Sequence, residues 1–271
     1  MTDKYAVIGN PITHSKSPVI HKMFAEQTGQ DISYEAILAP LDGFAATVER
    51  LRIDGYKGCN VTVPFKFEAL QLSTWLNARA QSAHAVNTLK FEDGAIKGFN
   101  TDGIGLERDI KNNLGFEIAG KHVLLMGAGG AAHGVAQPLF DINENLAIVN
   151  RSVEKARRMT DSFDKQHKAV VNSYEEIAGQ QFDLIVNATS SGLSDELPPL
   201  PPSIFATGAL AYDMMYGAKP TPFMQWAERQ GASTILDGLG MLVEQAAESF
   251  FIWRGVRPET APVIAALRAE R

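Results

Sequence analysis

The stretch KHVLLMGAGGAAHGVAQPLF, residues 121–140, decides the fold. Its apolar HVLLM reads as a short buried strand, GAGGAA as a glycine turn, and the small-residue run to Phe140 as a helix. Gly127, Gly129 and Ala132 fit the Gly-x-Gly-x-x-Gly/Ala fingerprint of a dinucleotide-binding βαβ unit. The first glycine makes the turn and the second lets backbone approach a pyrophosphate. The small third residue allows close packing of helix on strand, and the helix N-terminus offers N–H groups to the anion. The whole turn, Gly127, Ala128, Gly129, Gly130 and Ala131, is a candidate phosphate cradle.

Downstream, NLAIVN reads as the second strand. An NAD site places Asp or Glu at the end of that strand to bond the ribose 2′-hydroxyl. Here the chain has VNRS: Asn150, Arg151 and Ser152, with Lys155 one helical turn on. A guanidinium suits a 2′-phosphate, so the expected cofactor is NADP. Lys155, Arg157 and Arg158 read equally well as a solvated helix face. The strands AVV, FDLIVNAT, which brings Thr189, and ALAYDM follow at spacings that suit an open, doubly wound sheet. SDELPPLPP reads as a surface connection.

Upstream, YAVIG, ISYEAIL and YKGCNVTV alternate with helical patterns from about Pro18 and Asp42, as βα units do. AVNTLKFEDGAIKGFN differs, with two strands around the hairpin dipeptide Asp93-Gly94. The first sheet is therefore expected to be mixed. A helical segment near residues 103–114 leads to the glycine turn, and from Asp237 a long apolar helix begins, followed by APVIAALRAER. The expected fold is α/β: a mixed-sheet substrate domain over 1–102, a Rossmann-type NADP domain over 103–237, and C-terminal helices over 238–271 that return to the first domain.

Composition excludes several classes of function. With 271 residues, 45% hydrophobic and 21% charged, the chain reads as globular. A net charge of -6 gives no basic field for a nucleic acid backbone, so none is expected as partner. Cys59 is the single cysteine, which rules out an intrachain disulfide and a thiolate metal cluster, and no His-Glu-x-x-His spacing occurs. No metal is expected. The start MTDKYAVIGNP lacks the apolar run of a signal peptide, and no segment approaches a membrane span, so a cytoplasmic location is expected.

Polar groups gather at strand ends. THSKSP brings Ser15 and Ser17, GCNVTVPFK brings Asn60, Thr62 and Lys66, AVNT brings Asn87, and FNTDG brings Asn100 and Asp102. Each of these types also caps helices or forms turns, but together they suit a polyhydroxylated ligand beyond the carboxyl ends of strands.

In order along the chain, GNPITHSKSP, NVTVPFK, AVNTL, GFNTDG, GAGGAA, VNRS, VNAT, YDMMY and LDGLGMLVEQAA resemble the shikimate dehydrogenase (shikimate/quinate dehydrogenase) family. The resemblance implies NADP-dependent interconversion of 3-dehydroshikimate and shikimate in aromatic amino acid biosynthesis, with Lys66 and Asp102 as the catalytic pair. It implies that Ser15, Ser17, Thr62, Asn87, Tyr216 and Gln245 hold substrate, and that Met214 and Gly238 lie against the cofactor. Two positions depart from the pattern: His84 stands where the family commonly has glycine, and Ala78 where relatives can carry an acid. Activity on quinate and a silent dinucleotide-binding regulator stay open as alternatives, as does a monomer or a homodimer.

Overall fold

The computed structural model describes residues 2–143, 146–161, 169–189 and 197–270. The SDELPPLPP segment, 194–202, lies partly outside them. The chain divides into two compact units, Met1–Gly105 with Val243–Arg271, and Leu106–Leu242.

The first unit opens with strand β1 (Asp3–Gly9), helix α1 (Ser17–Thr28), β2 (Ile32–Leu38), α2 (Phe44–Ile53) and β3 (Gly58–Val61). Pro18 lies in the first turn of α1, where no N–H is required, and Gly29 stops that helix with φ 66°. Then come α3 (Lys66–Leu72), the short β4 (Trp75–Leu76), α4 (Ala78–Ala83), β5 (Thr88–Glu92), β6 (Ala95–Phe99) and α5 (Asp102–Arg108). The sheet order is β2-β1-β3-β5-β6-β4. β1 runs parallel to β2 and β3, whereas β5 runs antiparallel to β3 and β6. Asp93 and Gly94 both take positive φ, 54° and 77°, as the two-residue hairpin turn between β5 and β6 demands. His84 closes α4 with φ 46°, a left-handed conformation that a glycine would take without steric cost.

The second unit carries a one-turn π-helix (Asp109–Asn113) and then β7 (Val123–Met126), α6 (Gly130–Ile142), β8 (Leu146–Val149), α7 (Val153–Thr160) and β9 (Val170–Asn172). β10 (Phe182–Asn187), β11 (Phe205–Asp213), α8 (Pro222–Arg229) and β12 (Thr234–Asp237) complete it. All its strands are parallel, in the order β12-β11-β10-β7-β8-β9. The order reverses at β7, so the carboxyl ends of β7 and β10 form the switch point where dinucleotides bind. In the π-turn, buried Asp109 accepts the Tyr212 hydroxyl at 2.6 Å, and a side chain at Gly240 would collide with that carboxylate. α9 (Leu239–Arg254) and α10 (Ala261–Ala269) close the chain, and from Val243 onward they belong to the first unit. Among the described residues no helix is long and apolar enough to cross a membrane.

In the first unit α1 and α9 meet around His21, which is fully buried. Its ring stacks on Tyr34 at 4.1 Å and 9°, with Trp253 at 5.5 Å and Phe250 at 6.1 Å. Neither ring nitrogen reaches a hydrogen-bond partner in good geometry, although the Asn60 side chain lies near enough to favour the cation weakly. Desolvation dominates and lowers the imidazole pKa to about 3.

The unfolded chain, with His21 near its ordinary value of about 6.5, binds a proton the folded chain refuses. His21 therefore favours folding fully above that value and progressively less as pH falls from about 6.5 toward 3. Between pH 7 and pH 5 this costs about 2 kcal/mol, and His21→Phe should remove that share of the pH dependence in urea unfolding. An unchanged dependence would mean that His21 is not held neutral in the folded chain.

Candidate active site

β3 ends at Val61, and the chain after it is pinned at each step. Thr62 N–H donates to Ile8 O at 2.9 Å, Asn10 N–H to Val63 O at 2.9 Å, and Phe65 N–H to Thr62 O at 3.0 Å. Pro64 has no N–H to extend the ladder, and α3 starts two residues later with Lys66 as its first residue. This delivers the lysine to the end of the sheet. Asp102 arrives similarly, as the first residue of α5 just beyond β6, where its own N–H donates to Asn100 Oδ1 at 3.0 Å.

The two side chains meet: Lys66 Nζ lies 2.5 Å from Asp102 Oδ2, with the lysine side chain 12% exposed and the aspartate 7%. Asp102 Oδ1 accepts Asn87 Nδ2 at 2.8 Å. Asn87 also donates to Thr101 Oγ1 at 2.9 Å, and its Oδ1 accepts Thr101 N–H at 2.9 Å and the Thr88 hydroxyl at 3.0 Å. Both amide protons of Asn87 thus have partners within the protein, one of them the carboxylate.

Asn60 is likewise engaged. Its Oδ1 accepts the Tyr34 hydroxyl at 2.7 Å, while its Nδ2 faces Thr88 Oγ1 and Ser249 Oγ, both at 3.0 Å. Gln245, one helical turn before Ser249 on α9, is half-buried, and its Oε1 lies 3.3 Å from Thr101 Oγ1 and 3.4 Å from Asn87 Nδ2. Ser15 accepts Ser17 N–H at 3.3 Å; Ser17 itself is buried and Thr62 half-buried. One hydrogen-bonded network in the first unit therefore includes Lys66, Asp102, Asn87, Asn60 and Gln245. Tyr216 lies in the second unit, on the loop after β11. Tyr34, Thr88, Thr101 and Ser249 were not among the expected site residues. For Ser249 the signal was present, a hydroxyl four residues from Gln245 on an apolar helix.

In the second unit the glycine turn is built as the fingerprint requires. Gly127 has φ 114°, and a Cβ there would meet Ala188 O at 3.0 Å. Its N–H donates to Val149 O at 2.8 Å, which ties the turn to the end of β8 and so brings it near VNRS. Gly129 caps α6, Gly130 begins it, and no atom approaches the missing side chain of Gly129 within 4 Å. Ala128 and Ala131 are half-buried and Ala132 fully buried. Ser152 caps α7 through Lys155 N–H, and Asn150 Nδ2 holds Ser152 O at 2.8 Å. Arg151 and Lys155 are exposed. Arg151 acts on Tyr174, whose hydroxyl is pushed up chiefly by burial and pulled back by the guanidinium. Arg158 pairs with Glu154 at 3.4 Å, in keeping with the solvated-face reading for that residue.

Thr189 donates to Asn187 Oδ1 through both its hydroxyl, at 2.7 Å, and its N–H, at 3.2 Å. Met214 N–H donates to Asn187 O at 2.9 Å, and Gly238 N–H to Met215 O at 3.0 Å. A Cβ at Gly238 would lie 2.3 Å from Met214 O, so only glycine fits there. These residues fit a dinucleotide: an open glycine turn at a helix N-terminus for the pyrophosphate, and an exposed guanidinium at the end of the second strand. Among the described residues no cluster of three His, Cys, Asp or Glu is placed to hold a metal.

Residues 7–89 match the family model described as the shikimate dehydrogenase substrate binding domain. Residues 109–194 match shikimate/quinate 5-dehydrogenase, and 238–268 the shikimate 5′-dehydrogenase C-terminal domain. The shikimate dehydrogenase (NADP(+)) of Methylobacillus flagellatus is 59% identical over 269 residues, which span 98% of this chain and 99% of that protein. A solved Ael1 enzyme from Pseudomonas putida is 48% identical, with 98% of both chains covered and a TM-score of 0.92. The shikimate 5-dehydrogenase of Thermus thermophilus, solved with NADP(H) and shikimate, is 32% identical, with 99% of both chains covered and a TM-score of 0.88.

Because Asn87 satisfies several buried groups at once, Asn87→Ala should destabilise the chain by at least about 1–3 kcal/mol, the cost of leaving a buried donor or acceptor unmade. Urea unfolding at pH 7 measures this. A loss below about 0.5 kcal/mol, the range of an ordinary surface substitution, would contradict the network described.

Proposed function

The chain belongs to the shikimate dehydrogenase family, and from that premise we propose how its residues divide the work of the reaction. It catalyses the NADP-dependent interconversion of 3-dehydroshikimate and shikimate, a step in aromatic amino acid biosynthesis. In our reading Lys66 and Asp102 are the acid-base pair. The observation that carries it is the 2.5 Å contact between their side chains, mostly withdrawn from water at the ends of two neighbouring chain segments.

When bound, NADP takes up or gives the hydride, and the protein supplies orientation and the proton. The Lys66 ammonium donates a proton to the substrate oxygen as the carbonyl is reduced, and neutral Lys66 accepts the hydroxyl proton in the opposite direction. Asp102 holds Lys66 in place, while Asn87 fixes the carboxylate through Oδ1. Ser15, Ser17, Asn60, Thr62, Tyr216 and Gln245 complete the substrate contacts in this reading. Ser15 and Ser17 take the carboxylate and Gln245 a ring hydroxyl. Asn87 joins these substrate contacts, and both it and Asn60 also hold neighbouring groups in register, since their amide protons face protein acceptors as well.

For the cofactor, Gly127, Ala128, Gly129, Gly130 and Ala131 would cradle the pyrophosphate, and Asn150, Arg151, Ser152 and Lys155 the 2′-phosphate end. Thr189, Met214 and Gly238 would meet the other half. We place the enzyme in the cytoplasm as a monomer or homodimer acting on small molecules without nucleic acid or membrane. The unpaired, buried Cys59 and the net charge of -6 support this placement.

The test is NADP reduction with shikimate, followed by absorbance and set beside quinate as substrate and NAD as cofactor. Turnover with shikimate and NADP should exceed both alternatives, and a faster rate with quinate would transfer the reading to that substrate. Arg151→Ala should raise the NADP Michaelis constant about ten-fold or more and leave the NAD value nearly unchanged, since one charge-assisted contact is lost. Equal weakening of both cofactors would make Arg151 a structural residue.

A further inference from the structure

At the carboxyl edge of the second sheet, Asn187, Asp213 and Asp237 end the neighbouring strands β10, β11 and β12, and they pair in register. Asp213 is completely buried and has no part in the chemistry described above. Its carboxylate takes three donors. Oδ1 accepts Met215 N–H at 3.0 Å and Asn187 Nδ2 at 3.2 Å, and Oδ2 accepts the Thr221 hydroxyl at 2.5 Å. Asn187 in turn spends its Oδ1 on both donors of Thr189. A single carboxylate thus fastens both ends of the 214–221 loop and, through Asn187, Thr189 two residues past β10. A carboxylate withdrawn from water is costly unless bonded this fully, and desolvation indeed raises the Asp213 pKa against the pull of its three donors.

The strand order gives this clamp a place in the dinucleotide site. A doubly wound sheet binds one mononucleotide over each half, on either side of the switch point. The glycine turn and Arg151 follow β7 and β8, so the adenosine end belongs to the β7-β8-β9 half. The loops held by Asp213 follow β10 and β11, in the half left for the nicotinamide. They carry Thr189, Met214 and Tyr216.

We propose that Asp213 is a positioning residue for the nicotinamide half of NADP, fixing the 214–221 loop directly and Thr189 through Asn187. This rests on the NADP reading above. Asp213→Asn keeps the volume but cannot accept from all three donors, so the loop loses at least one anchor. Thr221→Val removes only the hydroxyl arm.

The experiment compares direct binding of NADPH with that of adenosine 2′,5′-bisphosphate, which carries the adenosine end alone, by titration calorimetry. For Asp213→Asn, NADPH binding should weaken about ten-fold or more, the loss expected for a hydrogen bond to a charged group, while the bisphosphate stays within about two-fold of the parent. Equal weakening of both ligands, or no change in either, would overturn the proposal. If Asp213→Asn does not fold, Thr221→Val decides: NADPH weakened several-fold with the bisphosphate unchanged supports the clamp, and parental NADPH binding overturns it. A parent protein that binds neither ligand would instead overturn the NADP reading itself.

Discussion

An ammonium and a carboxylate held 2.5 Å apart and largely out of water are the interaction on which the first unit's organisation depends. Removing two charges from water costs several kcal/mol per ion, and their attraction offsets this only when the remaining bonding capacity is also satisfied. Asp102 is satisfied by Asn87, and Asn87 by Thr101 and Thr88. Asn60 lies beyond, bonded to Thr88, Ser249 and Tyr34. The polar interior of this unit is thus a connected series of bonds that ends on the reactive lysine. It draws on β3, β5, α5, the edge strand β2 and the returning helix α9.

The return of α9 has a clear physical purpose. Ser249 gives Asn60 Nδ2 a further acceptor and Gln245 does the same for Thr101 Oγ1, and Trp253 donates to Leu89 O at 3.0 Å while stacking on Tyr5 at 4.6 Å. Gly58 leaves room for that indole, since a Cβ there would lie 2.6 Å from its nitrogen. The same helix closes the aromatic surroundings that keep His21 neutral. The second unit organises its polar groups differently, with one row of strand-end residues tied to loops. In the first unit the carboxyl ends of β3 and β6 and the amino end of the antiparallel β5 carry the side chains that matter, and in the second unit the carboxyl ends of β10 and β11 do.

Much of this was legible in the sequence because it rests on local rules. The glycine spacing at Gly127 and Gly129, the Asp93-Gly94 hairpin and the absence of an acid at Arg151 each follow from one short segment. The glycine expected at position 84 is explained by the left-handed φ that His84 adopts. Partners far apart in sequence were not legible. Ser249 meets Asn60 across 189 positions, and Tyr212 meets Asp109 across 103. α8 and β12 were missed as well: TILD is short, half-exposed and at the sheet edge, so its pattern lacks the apolar run of the central strands. Asn60 and Asn87 were read as ligand contacts from their strand-end positions, while their internal hydrogen bonds could only be seen once the strands were paired.

The most direct test is a double-mutant cycle on Lys66 and Asp102, with kcat measured beside shikimate binding by calorimetry. If the two act as one acid-base unit, Lys66→Ala and Asp102→Asn should each lower kcat by about 10² to 10⁴ with much smaller changes in affinity. The double variant should then be little worse than the poorer single one, as for groups that work as a unit. A folded Lys66→Ala protein that bound shikimate normally and turned over near the parent rate would contradict the account.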